Sequence, residues 1–236
     1  MRNGLAARGL IFLAAFAAAG LGAWLFWRHV WFFRDPPRTP PAAPGFVSAA
    51  DGVVVYAKLV APGAEVVSVK RGLPVTLKDL LREEIGQPKV VIGVFMSPFD
   101  VHYNRAPLDG RVDTIRRHPA LPANAHMGPM HWRTLLGVEP YYEGSTHIVS
   151  NERTVTRFVG RYRGEEFAWY VVQIGALTVN GIETFRAPGE AVSRGETFGM
   201  IRVGSQVDLV VPWQEGMRIA VKPGERVVAG ETVVVY

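Results

Sequence analysis

Within Glu196-Thr-Phe-Gly-Met-Ile-Arg-Val-Gly-Ser-Gln-Val-Asp-Leu-Val-Val-Pro212, the dipeptide Gly204-Ser205 interrupts an apolar strand pattern with two small residues. Glycine inside a strand ordinarily marks a bulge or a close backbone approach. A serine that follows glycine also has a chemical option. No side chain shields the intervening carbonyl, and a hydroxyl held against that carbonyl by a strained backbone can attack it. On these residues alone both readings stand.

Three other polar clusters carry residue types that could assist. Ser48-Ala-Ala-Asp-Gly52 places Asp51 before a glycine at a strand entrance, where it is either a plain Asp-Gly turn or a carboxylate for acid–base work. Ser97-Pro-Phe-Asp-Val-His-Tyr-Asn-Arg-Ala-Pro107 gathers Asp100, His102, Asn104 and Arg105 directly after an apolar run. On a strand, positions 100, 102 and 104 would point one way, setting an acid, an imidazole and an amide side by side. Asn151-Glu-Arg153 offers an arginine that can brace a turn or hold an anionic group. The loop histidines His118, His126, His131 and His147 lack ligand spacing, so no metal site is expected. With no cysteine, thiolate metal sites, disulfides and cysteine nucleophiles are excluded.

The elements that must position these groups are mostly β. Val53–Val60, Glu65–Lys70, Arg111–Ile115, Thr154–Val159, Phe167–Ile174, Gly199–Val211 and Arg226–Val235 read as strands between glycine or proline turns. Lys89–Met96 is a continuous apolar run, as a strand covered on both faces would be. One helix is predicted over 76–85, capped by Thr76 and stopped by Gly86, while 118–144 shows no periodicity and reads as a long loop, either a functional lid or disordered. Val60-Ala-Pro-Gly-Ala-Glu-Val66 and Val221-Lys-Pro-Gly-Glu-Arg-Val227 echo each other, as two hammerhead-like halves of a β-sandwich-like body would. The fold class is therefore mostly β (α+β), preceded by an N-terminal hydrophobic helix.

That helix starts the domain plan: a membrane anchor at 1–33, a proline-rich linker at 34–45 and a catalytic body at 46–236. Leu10–Trp27 carries no charge and is about long enough to span a bilayer. Small residues at Ala17-Ala18-Ala19 would suit a cleaved signal peptide. The run ends instead in Trp24, Trp27, Trp31, Phe32 and Phe33 mixed with arginines, a pattern suited to the headgroup layer. Residues 1–44 hold five arginines and one aspartate, a balance of +4, and the other 192 residues hold 21 basic and 20 acidic side chains, or +1. The formal charge of +5 thus belongs to the tail, and nucleic acid is not an expected partner.

Taken in order, Trp31-Phe-Phe-Arg-Asp-Pro36, Ala49-Ala-Asp-Gly52, Met96-Ser-Pro-Phe-Asp-Val-His102, Asn151-Glu-Arg153, residues 175–183 and Gly199-Met-Ile-Arg-Val-Gly-Ser205 resemble the phosphatidylserine decarboxylase family in its short bacterial and archaeal form. The resemblance implies a proenzyme that cuts itself between Gly204 and Ser205. The products would be a β chain (1–204) and an α chain (205–236) that stay associated. Ser205 would become a pyruvoyl group, the only cofactor, whose carbonyl forms a Schiff base with the substrate amine and draws off electrons as carbon dioxide leaves. Phosphatidylserine would give phosphatidylethanolamine at the cell membrane, with the catalytic body on the cytoplasmic side. Asp51 and His102 match family catalytic positions, but Arg105 stands where longer members carry a second histidine. Arginine is no general base at neutral pH, so either His102 takes both jobs, which is the favoured expectation, or a loop histidine such as His126 or His131 reaches in, or Asp51 and backbone strain suffice. Arg105 and Arg153 are expected as contacts for the substrate phosphate. Exposed sheet edges would allow a homo-oligomer. The reading from another class is a non-catalytic, membrane-tethered β-sandwich adaptor.

Overall fold

The computed structural model describes residues 2–70, 73–83, 86–177, 181–202 and 204–236. The chain divides into two compact units, Met1–Pro36 and Pro37–Tyr236. The first is helix α1 (Arg2–Phe26), which continues as a π-helical turn over Trp27–Trp31. Its segment Gly9–Trp31 is long and apolar enough to cross a membrane. The Arg34 guanidinium lies 4.4 Å from the Trp31 ring centre and donates to the Trp31 carbonyl, closing the aromatic end of the helix.

The second unit opens with β1 (Phe46–Val47), β2 (Gly52–Val60), the paired strands β3 (Glu65–Lys70) and β4 (Leu73–Thr76), helix α2 (Leu77–Leu81) and β5 (Lys89–Met96). Next come β6 (Tyr103–Arg105), β7 (Gly110–His118), α3 (Gly128–Leu136) and α4 (His147–Ser150). The chain closes with β8 (Arg153–Tyr162), β9 (Glu165–Gly175), β10 (Ile182–Thr184), β11 (Ala191–Val192), β12 (Thr197–Ile201), β13 (Ser205–Pro212), β14 (Arg226–Val227) and β15 (Val233–Val235). An eight-stranded antiparallel sheet in the order β11-β7-β8-β9-β13-β5-β2-β14 organises the unit.

Both faces of this sheet are covered, which explains the continuous apolar character of β5, buried at every position. Alternate residues serve opposite cores. Ile92, Val94, Val207, Leu209 and Val171 pack on one side with Phe158, Trp169 and Phe198. Val91, Phe95, Val210, Val172 and Ile174 pack on the other with Leu77, Leu80, Met130 and Ile148 of the helices. Burying each such side chain contributes about 1.5–3 kcal/mol.

Several elements differ from expectation. The predicted strand Gly199–Val211 is two strands in two sheets. β12 lies between β10 and β6 in a three-stranded sheet, and β13 lies between β9 and β5 in the large one. The chain changes sheet at Gly204, whose φ of +74° only glycine adopts without strain. Arg226–Val235 likewise breaks, because Glu231 and Thr232 fold back on Val228 in a turn. The predicted helix 76–85 ends at Leu81. Thr76 and Asp79 form a capping box, but Arg82 turns left-handed (φ 57°) and donates to the Val149 carbonyl at 2.6 Å. Its predicted end at Glu84 and Ile85 lies outside the described residues. The loop 118–144 contains α3, with Pro129 in its first turn and Gly137 as its left-handed C-cap. Residues 37–44, read as spacer, belong to the second unit: Arg38 pairs with Asp51, Thr39 N donates to Glu231, and Pro41 accepts from Arg194.

Candidate active site

Strand register gathers the candidate residues at one end of the large sheet. Ser205, first residue of β13, pairs with Met96 at the end of β5 and Gly175 at the end of β9. Val53 pairs with Phe95, which brings Asp51 and Gly52 to the same end, and Arg153 pairs with Ile174. Ser205 is fully buried, and its Oγ has no hydrogen-bond partner among the described residues. A buried hydroxyl left unpaired is costly, so a functional reason is called for. A side chain on Gly204 would meet the Ala176 side chain at 3.3 Å in addition to its left-handed φ.

His102 reaches this place by main-chain pairing. The loop that leaves Met96, the partner of Ser205, ends at His102, whose carbonyl accepts from Ile201 N just before the Gly204 crossing. The imidazole is fully buried, with Nδ1 2.9 Å from the Asp100 carbonyl. A carbonyl can only accept, so Nδ1 carries the proton and Nε2 is the basic nitrogen. The acid–imidazole–amide row expected at 100, 102 and 104 does not form, because β6 begins only at Tyr103 and Asp100 sits in a turn. There the Asp100 carboxylate accepts from Ser97 N and pairs with Arg226, while Asn104 accepts from Gln173.

Asp51 is half-buried, with Oδ2 2.8 Å from Arg38 Nη2 and Oδ1 accepting from Ala229 N at 2.7 Å. Burial pushes its carboxyl above the ordinary range, and the Ala229 amide and Arg38 charge pull it back; Asp100 nearby adds a further rise. Arg105 donates from Nη1 to the Gly195 carbonyl. Arg153 is almost fully buried: its Nε, Nη1 and Nη2 all donate to main-chain carbonyls, those of Asn151, Asp79 and Val149. Burial and the neighbouring Arg82 lower its pKa to about 10.

Asn151 proves to be a clamp. Its side chain donates to the Gly175 carbonyl at 2.6 Å and the Ala125 carbonyl at 2.8 Å, and accepts from Ala125 N at 2.6 Å. The segment leading to α3 is thereby tied to the residue opposite Ser205. Beneath α3 lies a cavity of about 240 Å³ lined by Phe95, Met127, Gly128, His131, Ala176 and Gly204. The Gly204–Ser205 bond thus borders this cavity. The Ser205 side chain belongs to the other face of the sheet, with Val207 and Leu209, where Gln173 meets Asn104. A larger concavity of about 640 Å³ around Arg111, Arg157 and Gly160 sits at the opposite end of β7 to β9, far from these groups.

A buried polar network is the part that residue types and spacing did not reveal. Gln206, next to Ser205, donates to Tyr56 Oη at 2.7 Å and Asp208 Oδ1 at 2.8 Å, and its own Oε1 lies 3.0 Å from His147 Nε2. Tyr56 donates to the same Asp208 oxygen at 2.8 Å. Burial raises the Asp208 pKa to about 6 and lowers that of His147 to about 4. Gly93 is required here, since a side chain would strike the Tyr56 ring at 2.5 Å. Arg38 was also hidden, as a charge within prolines; its position so near the body was the only signal. Among the described residues no group of acids and histidines could hold a metal.

Comparison with known proteins identifies the family. The family model described as "Phosphatidylserine decarboxylase" matches residues 25–235. The phosphatidylserine decarboxylase proenzyme of Oleidesulfovibrio alaskensis is 34% identical over 95% of this chain and 88% of its own length. That of Nitratidesulfovibrio vulgaris is 32% identical over 98% and 92%. That of Chlorobium phaeobacteroides is 33% identical over 98% and 90%. With an unpaired serine at a sheet crossing and this similarity along nearly its whole length, the chain belongs to the phosphatidylserine decarboxylase family.

Proposed function

We propose that this chain is a proenzyme that cleaves itself between Gly204 and Ser205 and, in its mature form, decarboxylates phosphatidylserine to phosphatidylethanolamine. The observation that carries the reading is the Ser205 hydroxyl, buried and unpaired, next to a glycine in left-handed conformation where the chain passes between two sheets.

His102, through Nε2, takes the Ser205 proton as Oγ attacks the Gly204 carbonyl. The acyl group moves from nitrogen to oxygen, giving an ester. Elimination breaks the Ser205 Cβ–Oγ bond, leaving a carboxylate on Gly204, and hydrolysis of the resulting enamine releases ammonia. Ionised Asp51 supports this proton uptake through its negative charge near Asp100, whose carbonyl holds His102. The residues fit a pyruvoyl group at position 205, because forming it removes a hydroxyl that bonds to no described group, and its keto oxygen would stand on Cα in place of the released amine. That carbonyl supplies the electron sink for loss of carbon dioxide from a bound amine. The cavity at Gly204 receives the serine headgroup, and Asn151 holds its roof. Arg105 and Arg153 enter as braces rather than phosphate ligands, since the bonds described for them go to main-chain carbonyls.

Intact mass spectrometry tests the reading. The purified protein should contain a 32-residue fragment, Ser205 to Tyr236, with a carbonyl in place of its amine. Finding only the uncut chain, with Ser205→Ala indistinguishable from wild type, would overturn it.

A further inference from the structure

Helix α3 is apolar on both sides. Met130 faces the core and His131 the cavity, while Trp132, Leu135 and Leu136, spaced i, i+3 and i+4, stand 60%, 64% and 69% exposed. Leu177, on the far wall of the same cavity, is 56% exposed. An outward apolar stripe on a short surface helix is covered by something in the working protein. Charge identifies the cover: α3 carries Arg133 and His131 and no carboxylate, and the first acid after it is Glu139, beyond its C-cap. Tryptophan and leucine beside arginine is the pattern of a helix lying in the interface of an anionic bilayer. Size agrees. At about 240 Å³ the cavity is smaller than the roughly 300–1,000 Å³ of sites that engulf a whole ligand. It accommodates a headgroup and leaves acyl chains outside, at a rim made of Leu177 and α3.

We propose that the outer face of α3, Trp132, Leu135 and Leu136, is a bilayer-docking surface, distinct from the N-terminal helix, which seats the cavity mouth on an anionic phospholipid surface. The choice of a lipid occupant rests on the decarboxylase reading, and the two are tested apart. A phospholipid seated there keeps its tails in the membrane while its headgroup enters beneath α3 toward Gly204.

The absence of cysteine allows a single spin label in the full-length chain at Leu135→Cys, with Lys222→Cys, exposed elsewhere, as control. Reconstituted in vesicles of phosphatidylglycerol and phosphatidylcholine, the label at 135 should relax with oxygen more than with a water-soluble nickel chelate, and the label at 222 the reverse. An aqueous signature at 135 overturns the proposal. So does protection from both reagents, which would mean a protein partner or a second copy. These outcomes do not depend on whether the protein turns over any lipid. In a second arm, Trp132→Gln with Leu135→Gln and Leu136→Gln should cut turnover of bilayer phosphatidylserine by roughly tenfold or more, given the free energy of burying even one such side chain. Turnover of a dispersed short-chain phosphatidylserine should be preserved. Equal loss on both substrates overturns the docking role, and no turnover by the unsubstituted protein would count against the decarboxylase reading alone.

Discussion

Arg38 Nη2 lies 2.8 Å from Asp51 Oδ2, so a residue of the proline-rich segment neutralises the half-buried carboxylate at the entrance to β2. The same guanidinium lies 3.6 Å from Glu231, and Ala229 N holds the second Asp51 oxygen. Arg38 therefore joins the segment before the body to the turn before β15.

Asp51 titrates above its ordinary range because of burial, and Arg38 opposes that rise. Removing the cation raises the pKa further, so more of Asp51 is protonated at any given acidic pH. Arg38→Met should displace the acid limb of the self-cleavage profile to higher pH, with Arg38→Lys intermediate. The rate of appearance of the 32-residue fragment, followed from pH 5 to 8, measures it; an unmoved limb in Arg38→Met would detach Arg38 from the reaction.

Gly204→Ala places a Cβ at left-handed φ and 3.3 Å from Ala176. The strain is about 1–2 kcal/mol. Self-cleavage should slow by tenfold or more while the fold survives, as fragment kinetics and circular dichroism together would reveal. Cleavage at the wild-type rate would mean that the conformation of Gly204 is immaterial.

The pair joined through Gln206 predicts a hidden pH dependence. Asp208, with its pKa raised to about 6, binds more protons folded than unfolded, so its contribution falls as pH rises from about 4 to 6. His147, lowered to about 4, binds fewer protons folded, so its contribution rises over nearly the same window. The two slopes oppose each other, each at most about 1.4 kcal/mol per pH unit. In a Ser205→Ala background stability should be nearly flat from pH 4 to 6. Asp208→Asn should lose stability on acidification, and His147→Gln should gain it. Urea unfolding at three pH values decides, and slopes of the same sign in both variants would refute the opposition.

Asn151→Ala removes the bonds from the α3 approach to Gly175 and leaves buried carbonyls unpaired, at a cost of about 1–3 kcal/mol. Limited proteolysis should open preferentially between Leu121 and Met127, with self-cleavage retained. Unchanged protection of that segment would show that α3 is held without the clamp.

Much of the strand pattern was legible because it is valine-rich: Lys89–Met96, covered on both faces of the large sheet, and Glu65–Lys70, in the separate β3–β4 pair, form strands with the expected bounds. The break between β12 and β13 was not, because Ile201 and Val207 on either side of Gly204-Ser205 are equally apolar and periodicity cannot register a change of sheet. Helix α3 was masked by the prolines around it and by apolar residues on two faces, which blur the helical period. At the site, local sequence only marked Asp51, His102 and Ser205 as candidates and the family resemblance gave them roles; pairing with Phe95, Met96 and Ile201 brings them to one sheet end. The network of Tyr56, His147, Gln206 and Asp208 could not be read, since each is an ordinary residue in its own neighbourhood and only the fold makes them adjacent.

β13 lies in the middle of the large sheet, hydrogen-bonded on one side to β9 and on the other to β5. The proposed cleavage at its first residue would therefore leave the native architecture in place but change the order of the folding reaction. The uncut chain folds in a unimolecular step, whereas a protein cut there would reassemble only when two separate polypeptides meet. Its unfolding midpoint then depends on concentration. Under the proposed cleavage, dilution, harmless to the precursor, would become a denaturing condition for the product, a heterodimer whose subunits were made as one.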